Sequence, residues 1–409
     1  MNYYRSSSAV RLVVILLVLA LALPLTLVRC PEAPVDRAPS VVIWHGFADR
    51  SHEDLALRQV LSAITAGVSG YELEIWALGD ALGGAVGQSL TYGGFPDLLL
   101  APAEWAVYLD QLGALHRLRP GEGDDWLSPV RESLLWDGSL LGLPLMTEIV
   151  GLGRASALAG LAWPASSAEL AAQAEVAAEQ GLGELFWPID NAYYTLPWFL
   201  AAGGELEPAS PGESDGWLLR PEADQPATSG WLEAVELLAV TAVGRPPDDL
   251  VEAWRDGRVS FAPLLPSEYL ALRSAGVAVQ LGPLPGARAL MSTWALMLPR
   301  GGPSPSQPTI DLLGRLRASG DDGLLYLSQA LGYLPPSLEL FQSDVVVASG
   351  LAVLGGASAD AAPMPFRAYA AEVWSVYEAA LGEFLAGAKA EDVYARLRDR
   401  IEQLSPQVP

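Results

Sequence analysis

The chain is short of the side chains on which most enzyme chemistry depends. Among 409 residues there is one cysteine, there are three histidines, and Lys389 is the only lysine. A lone Cys30 rules out a disulfide within the chain. His45, His52 and His116 stand outside any CxxC or HExxH spacing, so no metal site is expected. His45 reads as a loop residue, and no histidine has a recognisable catalytic partner. The P-loop pattern G-x-x-x-x-G-K-[ST] is missing, and with it the phosphate cradle. Gly151-Leu152-Gly153 opens like a dinucleotide loop, but Ser156 occupies the place of the third glycine. G-x-S-x-G is absent, which removes the nucleophile elbow. No cofactor is expected. Cations are scarce as well: 24 basic against 48 acidic residues leave a net charge of -24, which argues against a nucleic-acid partner.

What is present is core material. Apolar residues make up 51% and charged residues 18% of the chain, with 13 tryptophans. At about 150 residues per domain, this length predicts two or three globular units or one large one. Carboxylates are plentiful, so a paired-carboxylate glycosidase stays open by inventory.

The N-terminus carries Arg5 and Arg11 without an acid, followed by Leu12 to Val28, 17 uncharged residues of which eight are leucine. A basic start and an apolar run read as an export signal. Pro24 would kink a spanning helix, and the run falls short of the about 20 residues a relaxed span needs. Leu27-Val28-Arg29-Cys30 resembles the lipobox of bacterial lipoproteins, except that Arg29 stands where a small residue is expected. Cys30 is thus a candidate lipidation site. The alternatives are an uncleaved anchor over 12–28, or a cysteine with no role. Each reading exports the remainder, behind a Pro- and Ala-rich tether at 31–40. The expected location is the outer face of the cytoplasmic membrane, at the cell surface or in the periplasm.

In the body, strand-like runs alternate with helix-like ones. Val41–Trp44, Tyr71–Ala77 and Leu98–Ala101 read as strands, and 53–67 and 103–115 as helices. Further helices are expected over 167–181, 231–243, 247–257, 309–318 and 321–331, with a C-terminal pair over 366–403. Val277–Leu281 and Ser292–Leu298 read as strands, and 206–230 as a surface excursion. This alternation predicts α/β layers with a mostly parallel sheet and a ligand at the carboxyl ends of its strands.

Several segments then resemble, in order, the extracytoplasmic solute-binding proteins of ABC importers, in the family that includes maltodextrin- and other sugar-binding proteins. They are Val41-Val42-Ile43-Trp44-His45, Pro96–Ala101 with Glu104-Trp105, Trp136–Pro144 with Glu148, Tyr193–Trp198 with Ala201–Gly204, Gly282–Gly286 with Ser292–Leu296, and Leu331–Pro336. The resemblance implies an α/β, two-lobe periplasmic-binding-protein-like fold of type II, with discontinuous lobes, a hinge and a ligand cleft between them. Lobe one would take 41–147 plus 288–338, and lobe two 148–287 plus 339–409, behind the signal and tether of 1–40. It also implies a non-enzyme that delivers a small solute, a sugar or oligosaccharide, to permease subunits in the membrane.

A sugar offers apolar ring faces to aromatic plates and hydroxyls to carboxylates. The candidate contacts are Trp44, Glu104, Trp105, Glu148, Tyr193, Trp198, Tyr269, Trp294 and Tyr333. For each there is a structural alternative: Glu104 as a helix-start acid, Glu148 as half of an ion pair, and the aromatics as core. The family's Gly-Pro-Trp stacking motif is absent near Tyr269, where Glu268 or Tyr269 would have to replace it. A second reading keeps the fold but binds a polyamine or other cation between acids and aromatic faces.

Overall fold

The computed structural model describes residues 39–66, 70–121, 125–204, 224–244, 247, 249–301, 304–318, 320–364 and 370–403. Cys30, the 12–28 segment and most of the 206–230 excursion lie outside them. Among the described residues no helix is long and apolar enough to cross a membrane.

Twelve strands are described: β1 Ser40–His45, β2 Glu72–Ala77, β3 Leu98–Pro102, β4 Leu135–Trp136, β5 Ser139–Leu140, β6 Leu143–Glu148, β7 Gly151–Ala155, β8 Glu184–Leu185, β9 Val259–Leu264, β10 Val279–Gly282, β11 Leu290–Met297 and β12 Ala362–Pro363. They form two main sheets. The first runs β12-β11-β3-β1-β2, with β6 also paired to β11, and the second runs β10-β7-β9-β8.

Local chemistry explains the elements. In β1, Val41, Ile43 and His45 are buried while their neighbours are not, the period-two pattern of a strand with one covered face. Leu98 to Ala101 are fully buried, as a central strand packed on both faces requires. The helix His52–Ile64 starts at Ser51, whose hydroxyl accepts the Asp54 N–H, and buries Leu57, Val60 and Leu61. The helix Ser167–Glu179 starts the same way, with Ser166 capping the Glu169 N–H.

The sheets are more antiparallel than the alternation predicts. β1, β2 and β3 are parallel, but β11 runs antiparallel to β3 and β6, and β7 runs antiparallel to β9 and β10. The physical reason is that β7 and β11 are fed from the other sheet, not from a helix returning over the same one. The chain leaves the first sheet after β6, crosses at Ile149–Val150 and enters the second at β7. It returns through 283–289 between β10 and β11. A third strand-like segment passes at Leu334, which exchanges two 2.8 Å backbone hydrogen bonds with Thr147. The helices Ala370–Leu385 and Ala390–Gln403 then pack beside Ala192–Ala201 and Asp224–Thr241, around Phe199, Trp231 and Tyr377. β12 nevertheless pairs with β11 in the first sheet.

Gly151-Leu152-Gly153 is strand β7 and not a phosphate loop. A Cβ at Gly153 would overlap Leu264, and one at Gly282 on β10 would overlap Trp163. The glycines let layers approach each other. The helix Leu82–Tyr92 was not legible, because its glycines at 83, 84 and 87 dilute the apolar stripe.

Candidate ligand cleft

Because β1 and β3 are parallel and β11 is antiparallel to both β3 and β6, the carboxyl ends of β1, β3 and β6 share one edge, where β11 begins. Glu148 is the last residue of β6, opposite Ser292. Glu104 opens the helix Glu104–Gln111 just past β3, and the preceding Ala103 N–H donates to the Thr293 carbonyl at 2.7 Å. The start of β11 therefore lies between two carboxylates.

The second sheet contributes from its own carboxyl edge. β9 ends at Leu264 and leads into the helix Pro266–Ser274, whose first turn holds Glu268. The Glu268 carboxylate accepts the Leu265 N–H at 2.8 Å. The helix Ala192–Ala201 is capped by Asn191, which accepts the Tyr193 N–H at 2.9 Å and sets Tyr193 and Tyr194 at the helix start, their rings edge-on at 5.4 Å.

Electrostatics ties these groups together. Burial pushes Glu148 up to about 7, helped by the charges of Glu268 and Glu104. Burial likewise pushes Glu104 up to about 7, against the pull of its own backbone N–H. Glu268 is raised by burial. The Tyr193 hydroxyl is pushed far up by burial and by Glu148, Tyr194, Glu104 and Tyr333, and Tyr194 is pushed up to about 12 by burial, Glu268 and Glu148. These half-buried acids and tyrosines thus lie within electrostatic reach of one another. Among them, Glu104 Oε2 and the Tyr193 hydroxyl are buried without a hydrogen-bond partner.

An aromatic wall stands on the first-sheet side. Phe47 stacks on Trp294 at 5.1 Å, and Tyr333 meets Trp294 edge-on at 6.2 Å. Here Trp294 and Ala295 pair with Met146 and Pro144, which leaves Leu145 as the extra residue of a bulge on β6. Trp44 stacks on Trp76 at 6.3 Å, and its indole N–H is buried and unpartnered. Trp105 is partly buried against the first-sheet core. Beside Glu268 lies a cavity of about 650 Å³ between the helix starts at His52 and Ser267, the size range of a small-molecule site.

His45 is not a loop residue. It ends β1, fully buried, with Nε2 and the Asp54 carboxylate 3.0 Å apart and Nδ1 accepting the Phe47 N–H at 3.2 Å. Burial holds it below the ordinary imidazole range in spite of Asp54. Asp54 also accepts Arg58 Nε at 2.7 Å and the Arg50 N–H at 3.0 Å. Burial pushes Asp54 up, but the Arg50 N–H and Arg58 outweigh it and hold it below the usual carboxylate range. This network pins the turn that presents Phe47. Sequence reading missed both, since the signal is spatial: the first residues past a strand end.

Two sequence-selected aromatics lie elsewhere. Trp198 is buried among Trp187, Leu238 and Phe261, and its indole N–H donates to the Pro285 carbonyl at 3.0 Å, bracing the 283–289 crossover. Tyr269 is buried on the far side of its helix, its hydroxyl against Gly350 and Arg273 over its ring. One helical position separates it from Glu268, and that rotation of about 100° sends one residue to the cleft side and the other to the core. No cluster of three or more metal-ligating side chains occurs among the described residues.

No protein-family model matches this sequence, and no curated protein matches it either. Solved structures do match. The chain is similar to the GacH receptor of Streptomyces glaucescens GLA.O, solved unliganded and with acarbose, at 18% identity and a TM-score of 0.73 over 91% of this chain and 100% of that one. It is similar to a cyclo/maltodextrin-binding protein complexed with maltotetraose, at 19% identity and a TM-score of 0.75 over 92% and 100%. It is also similar to the sugar-binding protein MalE from Xanthomonas citri, at 14% identity and a TM-score of 0.75 over 89% and 97%. At these identities the likeness is one of fold: the chain has the two-lobe α/β architecture of the maltose-binding proteins.

Proposed function

We propose that this chain is an exported solute-binding protein that captures a carbohydrate between its lobes and passes it to an ABC permease. The lobes we assign are 41–147 plus 288–338 and 148–287 plus 339–409, with residues 1–40 supplying export and a membrane tether through Cys30 or the 12–28 segment. The observation that carries the reading is the convergence of Glu104 and Glu148 from one sheet with Tyr193 and Tyr194 from the other, leaving a buried carboxylate oxygen and a buried hydroxyl unpartnered. Such groups are costly unless a ligand satisfies them. Trp294 and Tyr333 supply apolar faces for a sugar ring, with Phe47 buried behind them. Trp44 and Trp105 belong to the same rim in this reading.

In this reading the cleft holds its solute and releases it unchanged.

The test is a thermal-shift and calorimetric screen of the protein against mono- and oligosaccharides. A ligand at 100 times its Kd adds about 2.7 kcal/mol of stability. A saturable shift with one saccharide class, lost in Glu104→Ala and Tyr193→Ala, is the expected result. No shift with any saccharide would refute the carbohydrate reading. For the tether, Cys30→Ser should release the protein from the membrane fraction if lipid holds it, and leave it there if the 12–28 segment does.

A further inference from the structure

One buried titratable pair lies behind the cleft rather than in it. His45 and Asp54 are buried, and together they hold the turn between β1 and the helix His52–Ile64. The Phe47 backbone N–H can only donate, so His45 Nδ1, 3.2 Å away, is an acceptor and carries no proton. The ring proton therefore sits on Nε2 and is donated to the Asp54 carboxylate at 3.0 Å. The same carboxylate accepts the Arg50 N–H at 3.0 Å. Arg50 has a φ of 58°, a left-handed backbone that an arginine adopts only at a cost. The turn is thus a strained segment closed by one imidazole and one carboxylate. Its base is fixed, since the His45 carbonyl accepts the Leu78 N–H at 3.0 Å.

What the turn supports is the aromatic wall. Phe47 stacks on Trp294 at 5.1 Å and tilts against Tyr333 at 6.4 Å. A Cβ added at Gly46 would stand 3.9 Å from the Trp294 ring. We propose that His45 is an acid-operated latch: adding the second ring proton opens the 46–50 turn and removes the backing of Trp294. Charging the imidazole places a proton on Nδ1, where it meets the Phe47 N–H donor to donor. Flipping the ring repairs nothing, because a charged imidazole donates from both nitrogens. The latch rests on the hydrogen bonds of the turn, and its effect on a solute rests on the reading of the cleft as a ligand site.

The charged groups that bear on His45 are Asp54 and Arg58 from the helix and Asp49 from the turn. On the flanking strands its register partners are Ala77 and Leu100, which carry no charge. Tyr333 reaches Phe47 from the loop after the helix Gly320–Leu331. Burial opposes charging, Arg58 adds to it, and the two aspartates do not outweigh them, so the folded imidazole lies below its ordinary 6.5. The opened turn takes up its proton near that ordinary value. The stability of the closed turn is therefore fully present above about pH 6.5 and is lost as pH falls below it. Asp54, held below the usual carboxylate range, keeps its charge as this fall begins. Glu104 and Glu148, raised to about 7, gain protons over the same interval, which stabilises the folded form and opposes the loss.

The experiment is amide hydrogen exchange, resolved to single residues and corrected for intrinsic exchange, on the full-length protein in mild detergent from about pH 7.5 to 5. It needs no solute, so its result is separate from that of the saccharide screen. Protection of the Phe47 and Arg50 amides should fall about tenfold per pH unit below about 6.5. The Ala103 amide, bonded to the Thr293 carbonyl on the same cleft edge, should not lose protection. Nitrogen-15 NMR at neutral pH should show the Nε2–H tautomer for the His45 ring, identified by its loss in His45→Asn. Asparagine can still accept the N–H two residues on but takes up no proton, so in that variant the turn amides should show no acid slope. His45→Gln keeps a donor toward Asp54 without the acceptor, so Phe47 should be poorly protected at every pH. An Nδ1–H tautomer, a flat profile in the unaltered chain, an acid slope that survives in His45→Asn, undiminished Phe47 protection in His45→Gln, or an equal loss at Ala103 would each overturn the latch.

Discussion

Replacing Glu148 by Gln should stabilise the unliganded protein at pH 8 and leave it nearly unchanged at pH 5. Burial, with Glu268 and Glu104 adding to it, moves this carboxyl from 4.5 to about 7. Its folded value is raised, so the native state holds a proton that the unfolded chain has released between those two values. Stability is therefore lost as pH rises from about 4.5 through about 7. A shift of this size, at 1.36 kcal/mol per pH unit, corresponds to about 3 kcal/mol of destabilisation once the carboxylate is fully ionised. Glutamine keeps the shape and cannot ionise, so the variant should recover most of that at pH 8. At pH 5 both side chains are neutral in the folded state, and ionisation of the unfolded glutamate leaves a difference of under about 1 kcal/mol. Urea unfolding followed by tryptophan fluorescence at the two pH values measures this, as a higher midpoint at pH 8 with an unchanged slope. Equal effects at both pH values, or a lower midpoint at pH 8, would refute the placement of Glu148 in a buried acidic site.

Three further substitutions probe other parts of the structure. Tyr193→Phe removes a buried hydroxyl without a partner, so the melting temperature should hold or rise, by up to about 2 kcal/mol of stability, while affinity for the cleft ligand falls about tenfold in calorimetry. Asp54→Ala leaves His45, Arg58 and the Arg50 N–H without their shared acceptor and should cost about 3–5 kcal/mol in urea unfolding; a loss under 1 kcal/mol would mean that the network is incidental. Gly153→Ala places a methyl into Leu264 in the second sheet and should cost about 1–3 kcal/mol in the same assay.

Much of the secondary structure was legible because it is local. The apolar run Val41–Trp44 matches β1, and the helical spacing of Leu57, Val60 and Leu61 matches His52–Ile64. Fully apolar Leu98–Ala101 is the buried β3. The short β9 at Val259–Leu264 passed unnoticed, because a six-residue buried run carries no period to separate strand from helix. The placement of candidate residues at strand ends was legible: Glu148 closes β6, and Glu104 opens the helix just past β3. It was not legible where one helical step decides the facing, as between Glu268 and Tyr269. Trp198 shows the same limit: an aromatic next to Tyr193 and Tyr194 in sequence turns into the core and braces a crossover.

By itself the sequence determined composition, charge, the order of strands and helices, and the exclusions that follow from one cysteine and three histidines. These depend on residue identity and short-range periodicity alone. The tertiary structure decided which strand ends share an edge, that β11 runs against β3 and β6, and that Glu104, Glu148 and Glu268 come within electrostatic reach of Tyr193, Tyr194 and Tyr333. Pairing partners far apart in the chain, such as Thr147 and Leu334 at a separation of 187 residues, leave no local pattern, and whether a carboxylate lies in water or against other acids is a property of the folded neighbourhood.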